Sequence, residues 1–128
     1  MMLVCMHRFR ILYLLLSLDS KVFPDPHTAA VTSLTFSSDN IFIASGGENG
    51  QIKLYDTTQC MCVETFKHHT GPIRCLGFSP DSRWLFTGSD DGTCTIIDLN
   101  DSKVKYTFEH PGFYISFFLI YRLSFSLR

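Results

Sequence analysis

The sequence predicts an all-β fold: two consecutive four-stranded antiparallel units, with a hydrophobic extension at each end. Three observations predict it. The segment Ser45-Gly46-Gly47-Glu48-Asn49-Gly50-Gln51-Ile52-Lys53-Leu54-Tyr55-Asp56 returns 42 residues later as Thr87-Gly88-Ser89-Asp90-Asp91-Gly92-Thr93-Cys94-Thr95-Ile96-Ile97-Asp98. The same offset, without a gap, lays His27 on His69, Leu34 on Leu76, Phe36 on Phe78, Asp39 on Asp81 and Phe66 on Phe108. Aligning 27–68 with 69–110 gives 12 identities in 42 positions, and a period of this length marks an array of supersecondary units. Finally, each copy holds short apolar stretches separated by turn residues, with Asn49-Gly50 and Asp91-Gly92 as hairpin signals.

The chain divides into an N-terminal extension (1–26), two repeats (27–68 and 69–110) and an apolar tail (111–128). In the extension, Arg8 and Arg10 precede an apolar run from Ile11 to Leu18 broken by Ser17. This imitates a signal peptide, but Asp19 and Lys21 stand where small cleavage-site residues belong, and the run is too short to span a bilayer core of about 30 Å. An edge element covering the first unit is the reading preferred, with Lys21 to Phe23 as an outermost strand stopped by Pro24 and Pro26.

Within the repeats, Val31 to Ser37 reads as the first strand, with Leu34 and Phe36 on one face and Val31 and Ser33 on the other. Ser38-Asp39-Asn40 turns the chain; Ser79-Pro80-Asp81-Ser82 fills the same place, with Pro80 where its fixed φ suits a type I turn. Second strands are expected at 41–46 and 83–88, third strands at 51–56 and 93–98, and more polar fourth strands at about 61–66 and 103–108. In the tail, Ile115 to Tyr121 falls in register with the first strand of a third unit, after which the pattern stops. Arg122 interrupts an apolar run already short for a membrane span.

A His some two dozen residues ahead of Ser-Gly or Thr-Gly, then Asn-Gly or Asp-Gly, then an apolar strand ending in Asp, resembles the WD-repeat signature of β-propeller proteins. The resemblance covers residues 27 to about 110. The family pattern ends its third strand in Trp-Asp; here that pair is Tyr55-Asp56 and Ile97-Asp98. What the resemblance implies is an incomplete propeller of two consecutive blades. Rings close with roughly 4 to 8 blades, so the expectation is a fragment or truncated form of a larger propeller, or self-association through open blade edges.

Composition limits the function. A net charge of −1 gives no basic footprint for nucleic acid, and five cysteines, odd in number and scattered, favour reduced thiols in an intracellular protein (cytoplasm or nucleus) over a disulfide framework. No phosphate-binding loop or catalytic carboxylate pair is present, so neither an enzyme nor a cofactor is expected. Cys60, Cys62, His68 and His69 do not match zinc-ligand spacing.

His27 with Ser45, and His69 with Thr87 and Asp91, look like pieces of a nucleophilic triad. The resemblance instead implies a buried structural hydrogen-bond network, His27, Ser45, Asn49 and Tyr55 in the first repeat and His69, Thr87 and Asp91 in the second, where Ile97 offers no donor. It also implies a non-enzymatic scaffold that binds proteins or peptides as a subunit or adaptor of a complex. The matching face is Ala30, Thr32 and Glu48 in the first repeat and Pro72, Arg74 and Asp90 in the second. The alternatives are a membrane-associated or secreted small protein using its hydrophobic termini, and a truncated product without activity of its own.

Overall fold

A computed structural model describes residues 25–109. They form eight strands: β1 (Val31–Phe36), β2 (Phe42–Gly47), β3 (Ile52–Asp56), β4 (Met61–Phe66), β5 (Ile73–Phe78), β6 (Trp84–Ser89), β7 (Thr93–Asp98) and β8 (Lys103–Glu109). Each set of four is a separate antiparallel sheet in sequence order. The expected edge strand at Lys21–Phe23, the signal-like segment and the third-unit strand at Ile115–Tyr121 lie outside the described residues.

Turn chemistry accounts for the strand boundaries. Ser37 and Ser79 each hydrogen-bond to the Asp two residues on, while their hydroxyl oxygens accept the N–H of Phe42 and Trp84 at 2.9 Å. These turns close through Asn40 and Ser82 at φ 60° and 59°, and the hairpins through Gly50 and Gly92 at φ 82° and 88°. Cys60 and Ser102, 42 residues apart, take φ 53° and 56° in the third turns. The repeat therefore extends to left-handed backbone positions that no residue identity announces.

The strands depart from the expected alternation at four places. β1 and β5 each carry a register shift, between Val31 and Ser33 and between Ile73 and Cys75, and β4 and β8 carry others opposite Leu54/Tyr55 and Ile96/Ile97. Thr32, Val63, Arg74 and Lys105 are the residues left over. Such bulges re-aim side chains, and a strict period of two does not reveal them.

The core lies between the sheets. Ala44, Ile52, Leu54 and Phe66 of the first sheet pack on Ile73, Leu76, Leu85 and Ile97 of the second. Leu34, Ile43 and Tyr55 form a cluster on the far face of the first sheet, and Cys75, Phe86 and Ile96 one on the far face of the second. Each fully buried aliphatic side chain is worth about 1.5–3 kcal/mol. Gly46 is the seat for Ile73: a Cβ there would lie 2.4 Å from Ile73 Cγ2. Polar contacts fasten the same boundary, with the Thr32 hydroxyl 2.5 Å from the Ile73 carbonyl and the Ser38 hydroxyl donating to the Pro80 carbonyl at 2.7 Å.

Candidate functional site

Two polar clusters sit at the equivalent place in each sheet. In the second, the hairpin after β6 holds Asp91 over the segment that leads into β5, and His69 reaches it from that segment. His69 Nδ1 lies 2.9 Å from Asp91 Oδ2 and Nε2 lies 2.7 Å from Thr87 Oγ1. Asp91 also accepts the Thr70 N–H at 3.1 Å, the Thr93 N–H at 2.8 Å and the Thr93 hydroxyl at 2.6 Å. Burial pushes the Asp91 carboxyl up, yet hydrogen bonds from Thr93, His69 and the Thr70 backbone outweigh it and hold the group well below the usual carboxylate range.

The position that Ile97 leaves without a donor is served by another residue. Thr95 pairs with Thr87 across β6 and β7, and its hydroxyl lies 2.6 Å from that of Thr87. On its other side, His68 Nε2 lies 2.8 Å from Thr95 Oγ1. With both imidazoles neutral, one set of donors satisfies the whole line. His68 Nε2–H donates to Thr95, Thr95 to Thr87, Thr87 to His69 Nε2, and His69 Nδ1–H to Asp91. Burial and then the neighbouring His69 push His68 down to about 4. Sequence reasoning misses Thr93, Thr95 and His68 as members of this cluster; the available signal is the register that the Asp91-Gly92 turn imposes, which sets Thr95 opposite Thr87.

The first sheet is wired differently. His27 Nε2 lies 2.7 Å from Ser45 Oγ, but Nδ1 of this buried ring has no hydrogen-bond partner among the described residues. Asn49 turns its amide nitrogen to Thr28 at 3.4 Å and its oxygen to the Gln51 N–H at 3.2 Å. Opposite Ser45, where the second sheet has Thr95, stands Lys53. Lys53 is only 4% exposed, and its Nζ donates to Asp25 Oδ2 at 2.7 Å. The Tyr55 hydroxyl donates to the Asp25 carbonyl at 3.1 Å, and burial raises the Tyr55 phenol to about 12. The structure thus brings His27 to Ser45, and His69 to Thr87 and Asp91, while Asn49 Oδ1 and His27 Nδ1 both border Gly47 without a hydrogen bond between them.

The six face residues gather at one end of both sheets. Glu48 N–H donates to the Ala30 carbonyl at 2.8 Å and Asp90 N–H to the Pro72 carbonyl at 3.0 Å. Arg74 forms an ion pair with Asp90 at 2.5 Å, and the charge of Glu48 acts on its guanidinium as well. Thr32 and Arg74 are the bulge residues of β1 and β5, which explains why both leave the strand alternation. Glu48 and Arg74 are exposed; Thr32 is half-buried.

No group of three or more His, Cys, Asp or Glu is placed to hold a metal ion among the described residues. Cys60 and Cys62 instead direct their thiols to the Thr57 and Glu64 carbonyls, each at 3.6 Å.

The sequence profile described as WD domain, G-beta repeat matches residues 19–56 and 60–98. The chain belongs to the WD-repeat family. Its second matched segment runs from the approach to β4 through β7, so the sequence repeat is staggered by one strand against the sheets. The β-propeller domain of Cps50 (Swd1) from Myceliophteria thermophila superposes with a TM-score of 0.65 at 21% identity, over 68% of this chain and 27% of that one. The WD40 repeats of RRP9 superpose with a TM-score of 0.63 at 19% identity, over 66% and 27%. This WD-repeat chain therefore matches little more than a quarter of either propeller, and the likeness establishes fold. Comparison with curated protein sequences gives no significant match.

Proposed function

We propose that this WD-repeat chain is a non-enzymatic interaction module that binds a protein or peptide on the end of the sheets carrying Ala30, Thr32, Glu48, Pro72, Arg74 and Asp90. WD-repeat propellers generally serve as interaction scaffolds. One observation carries the choice of face. Arg74 leaves β5 at a bulge and pairs with Asp90 on the β6–β7 hairpin, and the charge of Glu48 on the β2–β3 hairpin also acts on it, so charged groups from both sheets share this end. Loops held by a rigid frame are where binding specificity concentrates.

The imidazole–hydroxyl–carboxylate line in the second sheet supports a structural role rather than nucleophilic catalysis. His69 is buried, and Thr87 gives its hydroxyl to a line of hydrogen bonds rather than to a cleft. We further propose that the module works as a subunit or adaptor of a protein complex inside the cell, a reading supported by the free thiols of Cys60, Cys62, Cys75 and Cys94.

The experiment is charge reversal of Glu48, Arg74 and Asp90 together, followed by quantitative affinity capture from cells. Loss of the captured partners, with the melting temperature kept, is the expected result. Retention of every partner would remove this face from consideration. The exchange Arg74→Glu with Asp90→Arg retains an ion pair and serves as the fold control.

A further inference from the structure

All seven residues of β8 are exposed, and no strand among the described residues pairs along its outer edge. Tyr106 is 52% and Phe108 44% exposed, with their rings stacked at 6.4 Å. Phe66, the equivalent of Phe108 in the first sheet, is only 7% exposed because the second sheet covers it. A bare edge flanked by aromatic rings is a template for strand pairing.

We propose that β8 pairs with β8 of a second copy of this chain, antiparallel and centred on Thr107. The two-fold axis then sets Thr107 against itself, Tyr106 against Phe108 and Lys105 against Glu109. The bulge selects this register. Phe108 and Tyr106 oppose Cys94 and Ile96, whereas beyond the bulge Val104 opposes Ile97, so Val104 lies on the other face of the sheet from Tyr106. Centring on Tyr106 would set Val104 against Phe108 from opposite faces, and centring on Lys105 would oppose two ammonium groups. The Thr107 register keeps the ladder residues Tyr106, Thr107 and Phe108 on matched faces, joins aromatic with aromatic and sets Lys105 across from Glu109, so that opposite charges meet at both ends.

The β4 edge has no such solution. Its equivalent register would set Glu64 against Phe66, which the second sheet already covers. Lysine on an edge strand ordinarily repels other strands; here Lys105 meets Glu109 of the second copy, so the same charge admits this partner. The Lys105–Asp101 contact at 2.5 Å joins two exposed groups and is weak enough to yield. The product is a continuous eight-stranded sheet with four aromatic rings on one face. This inference is independent of the partner-binding face, which lies at the hairpin end of the sheets.

Sedimentation velocity of the full chain over a range of concentrations tests it. A monomer–dimer equilibrium is expected, weakened about tenfold in K105E and in E109K, where like charges oppose at both ends of the pairing. Mixing K105E with E109K chains restores opposite charges and is expected to recover the dimer, which an unfolded variant could not do. The register is read from T107C, which is expected to form a disulfide between copies because directly opposed residues lie about 4.5–5.5 Å apart. A chain monomeric at every concentration, a dimer indifferent to these charges, or cross-linking that favours Y106C over T107C would each overturn the proposal.

Discussion

Thr95 stands directly opposite Thr87, and the 2.6 Å contact between their hydroxyls joins His68 to His69 and Asp91 through one line of hydrogen bonds. Lys53 holds the equivalent position in the first sheet and serves Asp25 instead. Two units with the same strand order therefore have different polar interiors, and they should respond differently to mutation and to acid.

Removing the two histidines has unequal consequences. His69→Ala strips a partner from Asp91, a little-exposed carboxylate of the hairpin, and another from Thr87, inside the sheet, and is expected to cost about 3 kcal/mol. His27→Ala frees only Ser45 and is expected to cost about 1 kcal/mol. Urea titrations of both variants at neutral pH check the order; equal losses would contradict it.

Acid should loosen the second sheet before its carboxylate protonates. His68 titrates near 6.5 when unfolded and about 4 when folded. Below 6.5 the unfolded chain therefore binds more protons, and the stability contributed at higher pH is lost as the pH falls through 4. Asp91, also depressed, adds its own loss only below its unfolded value of 3.8. His68→Gln keeps an N–H for Thr95 without the titration, so its stability should fall less between pH 6.5 and 4 than that of the unmodified chain. Parallel slopes for the two proteins would show that His68 is not the group responsible.

Asn49→Asp should stabilise the first sheet. His27 Nδ1 is buried without a partner among the described residues, and the equivalent His69 Nδ1 is satisfied by Asp91. A carboxylate on the same hairpin position supplies the missing acceptor, worth about 1 kcal/mol or slightly more. The urea midpoint should rise at neutral pH, and an unchanged or lowered midpoint would mean that the hairpin does not let residue 49 turn toward the ring.

Gly46→Ala should weaken the junction between the sheets. The new methyl would meet Ile73 at Cγ2 and Cβ, on a fully buried side chain. Overpacking of this kind costs about 1–3 kcal/mol. Thermal denaturation measures it, and a neutral substitution would mean that the two sheets pack less closely than described.

The sheets are legible in the sequence because their causes are local. Asn49-Gly50 and Asp91-Gly92 fix the hairpins, Ser37 with Asp39 and Ser79 with Asp81 fix the preceding turns, and apolar alternation supplies the strands between. The bulges at Thr32, Val63, Arg74 and Lys105 are not legible, since nothing in their side chains marks a residue without a ladder partner. His69 with Thr87 and Asp91 follows from its spacing. Thr95 and His68 escape the repeat pattern because Ile97 is the residue that aligns with Tyr55, while the donor sits two residues earlier on the strand. Lys53 misleads in the opposite sense. Its charge implies a solvated face, yet both faces of β3 are covered and Asp25 supplies the counter-charge.

Two consecutive four-stranded sheets packed through the Gly46–Ile73 contact are the foundation of the fold and of both binding proposals, and a nuclear Overhauser spectrum of methyl-labelled protein tests that packing most directly. A strong cross-peak between the Ile73 γ2 methyl and the Gly46 α protons is predicted, together with extended-backbone carbon shifts over 31–56 and 73–98. Helical shifts in either segment, or intact strands without that cross-peak, would contradict it.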